Sequence, residues 1–354
     1  MNSEISGGGK PDFPVLFPAL IGAAVSVGLN RSGFLGFLFL LPFGVNAFCF
    51  GAASSWFCAF FAIAGDGLFA LWAGIFLHLP FNTLIPGMVY FSVIVLGFTW
   101  IAAPPARFPL FLRPRTVYRL VFSSAAGALA LVFLAYTSGT ETGFLAMLRS
   151  QAEFFVSLYN ASIGADVVEQ SLSGQYINVD NVVAVIKAVT LRGGAVFSCM
   201  LLFFVSRQFS LLIARIARRP FPGGNFTGFH TSSRQIWVLS FSLAAVLAGR
   251  LLGERPVAQT AALFAEIVSW NILVICVMLY LAQGGAVLTY WYSRWVIPPF
   301  FRFLLNFLFI IVVFSPGINA VFLAALILLG IAENWLPLRV SGTNGSSPTP
   351  GSGE

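Results

Sequence analysis

Residues Glu266 to Arg302 read EIVSWNILVICVMLYLAQGGAVLTYWYSRWVIPPFFR, and this stretch decides the class of the protein. It opens as an apolar helix carrying Glu266, Trp270 and Asn271, long enough to cross a bilayer. The apolar register is interrupted at Tyr280, Gln283, Gly284 and Gly285, which predicts a break there. The chain then becomes aromatic and basic (Tyr290, Trp291, Tyr292, Arg294, Trp295) and stops at Pro298-Pro299. Such a second half suits the membrane surface, with the rings at headgroup depth.

Composition extends the same reading to the whole chain. Of 354 residues, 58% are hydrophobic and only 9% charged, and the mean hydropathy is +0.90. A soluble domain carries roughly 25% charged residues, so this chain has too few to make a water-facing surface. The expected fold is all-α, a polytopic integral membrane bundle of about ten transmembrane helices. The apolar runs are continuous, unlike the short alternating segments of a membrane barrel. The formal charge is +7, and the arginines cluster beside apolar spans. That pattern anchors loops to the cytoplasmic face and argues against nucleic acid as a partner; the expected partner is the lipid bilayer. The four cysteines (Cys49, Cys58, Cys199, Cys276) lie inside apolar runs without metal-ligand spacing and read as small packing residues.

Working outward from Glu266, the expected spans are Phe13–Gly28, Gly33–Phe50, Ser54–Leu79, Thr83–Ala103, Val117–Tyr136, Gly193–Ile213 and Ile236–Leu252. The Glu266 stretch follows, then Phe303–Phe314 and Ile318–Ala332. Residues 13–340 read as one membrane domain of six N-terminal helices plus a four-helix C-terminal addition, between disordered ends at 1–12 and 341–354. Pro42 predicts a kink in the second span. Asp66-Gly67 divides the third span into two helices or sits within one; charge asymmetry favours one. Arg107, Arg113, Arg115 and Arg119, and later Arg215, Arg218 and Arg219, then fall on a single side. This predicts a bacterial cytoplasmic (inner) membrane protein with both termini in the cytoplasm.

Residues 137–190 lean acidic and form the expected external loop. Leu148, Ala152, Phe155 and Tyr159 repeat at helical spacing, and Asp180 could cap a helix carrying Val182, Val185, Ile186 and Val189. Two amphipathic helices over the outer face are predicted, acting as a lid or as a packed cap.

Ionisable residues in apolar spans cost roughly 2.5–3.5 kcal/mol at a helix centre and default to functional candidates. Asp66, Glu266, His78 and Glu333 qualify. At helical spacing Glu266, Trp270, Tyr280 and Gly284 share a face. The candidate ligand-binding set is therefore Glu266, Trp270, Asn271, Tyr280 and Gln283. The alternative for Glu266 is an interfacial carboxylate meeting water or Arg255. Ala19 and Ala23 form a small-residue pair on the first span, suited to internal packing or to docking a partner subunit. Gly223-Gly224 lacks the spacing of a phosphate-binding loop. No hydrolase or metalloprotease motif occurs, and no cofactor or metal is expected; the chain does not read as an enzyme.

The run Asn271-Ile-Leu through Tyr280-Leu-Ala-Gln283-Gly284-Gly285-Ala-Val287 resembles the YybS-like family of bacterial membrane proteins. The similarity continues to Leu329-Gly330-Ile-Ala-Glu333-Asn334-Trp335, and Leu41-Pro42 resembles that family's second span. Its N-terminal helices are distantly similar to the substrate-binding subunits of energy-coupling-factor transporters. This resemblance implies an Ala-xxx-Ala docking patch at Ala19 and Ala23 for a transmembrane coupling protein with ATPase subunits. Two functions are expected as alternatives: a transport-related subunit binding a small molecule, or a non-transporting scaffold in envelope or cell-shape assembly.

Overall fold

The computed structural model of the chain describes residues 13–32, 36–78, 81–103, 116–137, 149–158 apart from 151 and 155, 179–218, 229–252, 259–294, and 298–339 apart from 316 and 337. Among these residues the regular structure is helical, with no strand. The chain divides into two compact units, Met1–Pro222 and Gly223–Glu354. Residues 13–340 had read as one domain with a C-terminal addition.

The first unit contains α1 (Phe13–Arg31), a 3-10 turn (Gly36–Leu38), α2 (Leu41–Phe50), α3 (Ala52–Phe76), α4 (Phe81–Ala102) and α5 (Thr116–Thr137). These are followed by α6 (Val179–Val189), a π turn (Thr190–Gly194) and α7 (Ala195–Ile216). The second unit contains α8 (Gln235–Leu252), α9 (Gln259–Arg294), α10 (Pro299–Phe314) and α11 (Ile318–Ala332). Among the described residues, five stretches are long and apolar enough to cross a membrane: Ala52–Phe76, Leu84–Ala102, Thr116–Leu134, Val179–Ile216 and Ala262–Arg294. The protein is thus an all-helical chain whose apolar helices fit a multi-pass membrane protein.

One local expectation changes and one holds. Pro42 does not kink a long span; it lies in the first turn of α2, where its missing N–H is not needed. Asp66-Gly67 lies within one helix, as charge asymmetry favoured: α3 runs unbroken through both residues.

In lipid, apolar surface gives helices little reason to associate, so close contact and hydrogen bonds must hold them. The first unit follows that rule. Its interior holds Ala19, Ala59, Ala62, Ser54 and Ser55 around Phe43, Phe91, Phe98 and Phe203, while Phe60, Phe76, Phe122 and Leu129 are exposed. Ser54 Oγ donates to Asn46 Oδ1 at 2.7 Å, and Asn46 Nδ2 donates to the Pro42 carbonyl at 2.8 Å. Ser55 reaches the Phe43 carbonyl at 2.9 Å and Ser26 that of Phe39 at 2.8 Å. The Ser54–Asn46 and Ser55–Phe43 bonds tie α3 to α2, and Ser26–Phe39 ties α1 to the segment ahead of α2, whereas Asn46–Pro42 stays within α2 and holds the Asn46 side chain in place.

In the second unit the decisive contact is between α9 and α11. The break expected at Gln283-Gly284-Gly285 is absent, and α9 is one helix of 36 residues. Gly284 instead admits α11: a Cβ there would strike the Leu326 carbonyl oxygen, and one on Gly330 would strike that of Tyr280. The polar and glycine residues therefore serve a helix crossing rather than a bend. We expect Gly284→Ala to lower the unfolding midpoint in detergent by several degrees, equivalent to about 1–3 kcal/mol of overpacking strain. Gly87→Ala, whose Cβ enters open space, should leave the midpoint unchanged in the same fluorescence melt.

Candidate functional site

The five predicted ligand residues all lie on α9, but they do not form one site. Glu266 and Gln283 are 17 positions apart, about 25 Å along a helix at 1.5 Å per residue. The set divides into two clusters.

The first cluster lies where α8 and α9 run side by side. Glu266 is buried, and its Oε1 is 4.0 Å from Nε of Arg250, whose side chain is largely exposed. The Arg250 guanidinium also stands 6.0 Å from the centre of the Trp270 ring. The basic neighbour of Glu266 is Arg250, whereas Arg255 lies outside the described residues. Trp270 Nε1 is buried without a hydrogen-bond partner. Asn271 turns back along its own helix, donating from Nδ2 to the Ile267 carbonyl at 2.8 Å.

The second cluster gathers three pieces of chain. From α9 come Tyr280 and Gln283, three residues apart on one face and both fully buried. The segment ahead of α8 brings Phe229, His230 and Thr231, and the turn after α11 brings Glu333, Asn334 and Arg339. Gln283 Oε1 accepts from the Thr231 backbone N–H at 3.1 Å and also from the Thr231 hydroxyl. Arg339 clasps both carboxylate oxygens of Glu333, Oε2 at 2.7 Å, and donates to the Phe229 carbonyl at 2.8 Å. Trp291 Nε1 donates to the Leu338 carbonyl at 3.1 Å. Tyr290, Trp291, Tyr292 and Arg294 thus stay within α9, with Trp291 holding the chain beyond α11. Trp295 lies outside the described residues.

Three buried atoms of this cluster lack a hydrogen-bond partner: Gln283 Nε2, the Tyr280 hydroxyl and Asn334 Oδ1. The Tyr280 hydroxyl and the Asn334 side chain are neighbours whose geometry stops short of a closed hydrogen bond. The charges of Glu333 and Arg339 neutralise each other. The cluster therefore offers an amide donor, a hydroxyl and a carbonyl acceptor in a setting without net charge. That chemistry suits a small, uncharged, polar guest.

Sequence reasoning missed Thr231 and Arg339, and it saw Asn334 only as part of a family resemblance. A threonine outside the spans carries no local mark of its partner, which lies 52 positions away.

In the first unit, Ala19 and Ala23 are 0% and 4% exposed within the unit's own core. The surface expected to dock a partner is covered by the chain itself, since α1 packs on α2 and α3. Asp66 is 2% exposed at its side chain and pairs with Arg31, whose Nη2 is 2.5 Å and Nε 3.1 Å from Oδ1. The same guanidinium lies 4.5 Å from the centre of the Phe69 ring. His78 is exposed, just beyond α3.

No family model, curated protein or solved structure matches the chain.

Breaking a fully buried ion pair costs about 3–5 kcal/mol. Arg31 keeps 35% of its side chain exposed, so Arg31→Ala should destabilise by roughly 2–3 kcal/mol, less than that ceiling. The double variant Arg31→Ala/Asp66→Ala should recover part of this loss, because no unpaired carboxylate remains buried. Unfolding of the two variants in graded denaturing detergent measures the difference.

Proposed function

We propose that this chain is a transport-related membrane subunit that binds a small, uncharged polar molecule among the helices of its second unit. The observation that carries this reading is the trio of buried, unpaired groups on Tyr280, Gln283 and Asn334. A buried polar group without a partner costs about 1–3 kcal/mol, and a guest supplying one acceptor and two donors would relieve all three. Glu266, Trp270 and Asn271 serve as a second, peripheral polar contact nearer the other end of α9. The chain has no phosphate-binding loop, so energy would come from a partner such as a transmembrane coupling protein with ATPase subunits. The YybS-like resemblance is in keeping with that arrangement. In this proposal the chain lies in the bacterial cytoplasmic membrane with about ten crossings and both termini inside, the topology that its arginine clusters favour.

A scaffold in envelope or cell-shape assembly is the second reading. One observation favours it: Asn46, Ser54 and Ser55 are spent on locking helices together, and Ala19 and Ala23 are covered.

Native mass spectrometry of the protein released from its own membrane separates the two. We expect an added small-molecule mass on the wild-type chain that is lost in Gln283→Leu, with the melting temperature of the variant retained within a few degrees. A bare chain in both cases would remove the binding reading. Affinity purification in mild detergent then asks about energy: ATPase subunits in fixed ratio support coupled transport, and envelope-assembly proteins alone support the scaffold.

A further inference from the structure

The helix α6 does not simply extend the spanning helix α7. Between them Arg192 has φ −85° and ψ 27°, and Gly193 has φ 119°, so the helical path bends at Arg192-Gly193. A positive φ of that size is open to glycine and strained for other residues. The α6 segment has 11 residues, about 16 Å of helix, too short to cross a bilayer on its own.

Its side chains are sorted by face. At about 100° per residue, Val182, Val185, Ile186 and Val189 fall within an arc of about 100°. Asp180, Ala184 and Lys187 lie on the opposite side. The apolar arc is itself divided: Val182 and Ile186 are half-buried, while Val185 and Val189 are 62% and 59% exposed. The protein thus covers one edge of the stripe and leaves the other open. At the start of α6, Asp180 is bonded to Arg149 at 3.3 Å. That contact joins α6 to a segment that exposes Phe154 and Leu158 as well.

We infer that α6 is an interfacial lipid-docking helix, seated at the headgroup–acyl boundary with Val185 and Val189 in the acyl region. The occupant follows from continuity. The α7 helix lies in a stretch apolar enough to span the membrane, so the Gly193 bend falls where hydrocarbon gives way to headgroups. A helix leaving that bend with an apolar stripe on one side and charges on the other fits only in the boundary plane. Lys187 and Arg192 then stand at the depth of lipid phosphates, to which cations are attracted.

Depth measurement by spin labelling tests this. Cys49→Ser removes the least buried native thiol, and nitroxides are attached at Val185→Cys, Val189→Cys and, as the polar-face control, Lys187→Cys. The protein is placed in nanodiscs of phosphatidylethanolamine and phosphatidylglycerol, and collisions with oxygen and with a water-soluble nickel chelate are compared. We expect labels at 185 and 189 to favour oxygen, at about 5–10 Å below the phosphates, and the label at 187 to favour nickel. Nickel access at all three positions would put α6 in water and overturn the inference. Deep oxygen access at all three would make α6 part of the span, and shielding from both reagents at 185 and 189 would mean a protein covers the stripe; either result also overturns it. All three substituted side chains are exposed in the structure, so the labels need not disturb packing.

Discussion

Gly284 and Gly330 let α9 and α11 meet backbone to backbone, and the polar cluster of the second unit depends on that approach. With a Cβ at either position the helices would separate, because each meets a carbonyl oxygen of the other. Close approach is what substitutes for hydrophobic drive between helices in lipid. It also decides which polar groups are enclosed: Tyr280 and Gln283 lie at the crossing on α9, and Glu333 and Asn334 follow it in the turn after α11. Glutamine is an expensive residue in an apolar helix, and Gln283 is tolerated there because Thr231 satisfies its carbonyl twice. What remains unsatisfied is its amide nitrogen, buried without a hydrogen-bond partner.

The first unit answers the same constraint differently. Several of its buried polar atoms join neighbouring elements by short bonds, Ser54 to Asn46, Ser55 to Phe43, Ser26 to Phe39, while the hydroxyls of Thr99 and Ser124 stay buried without a partner. Asp66, a buried carboxylate midway along α3, is matched by Arg31 at the end of α1. Arg31 can do this while remaining partly exposed because its long side chain reaches back along the bundle, a common habit of arginine near helix ends.

Several features were legible in the sequence for physical reasons. The run from Ser54 to Leu79 reads as one helix because charge asymmetry outweighs a single Asp-Gly, and α3 is one helix. The face shared by Val182, Val185, Ile186 and Val189 follows from helical periodicity, which is local. The reading of Gln283-Gly284-Gly285 as a break failed because glutamine is a good helix former and each glycine costs a helix only about 1 kcal/mol, an amount that a tertiary contact easily overrides. Pro42 misled in the same way: proline breaks a helix from within but starts one from its first turn, and only the chain geometry shows which.

The sequence by itself determined that this is an all-helical protein with helices apolar enough to span a membrane. Composition and hydropathy are sums over residues, and a chain so poor in charge cannot face water along its length. Tertiary structure alone decided which polar groups are partners. Arg31 finds Asp66 across 35 positions, and Gln283 finds Thr231 across 52. It likewise parted Glu266 from Gln283 into separate clusters that sequence had treated as one site. Pairing depends on distance in space, and residues far apart in the chain leave no record of it in their local pattern.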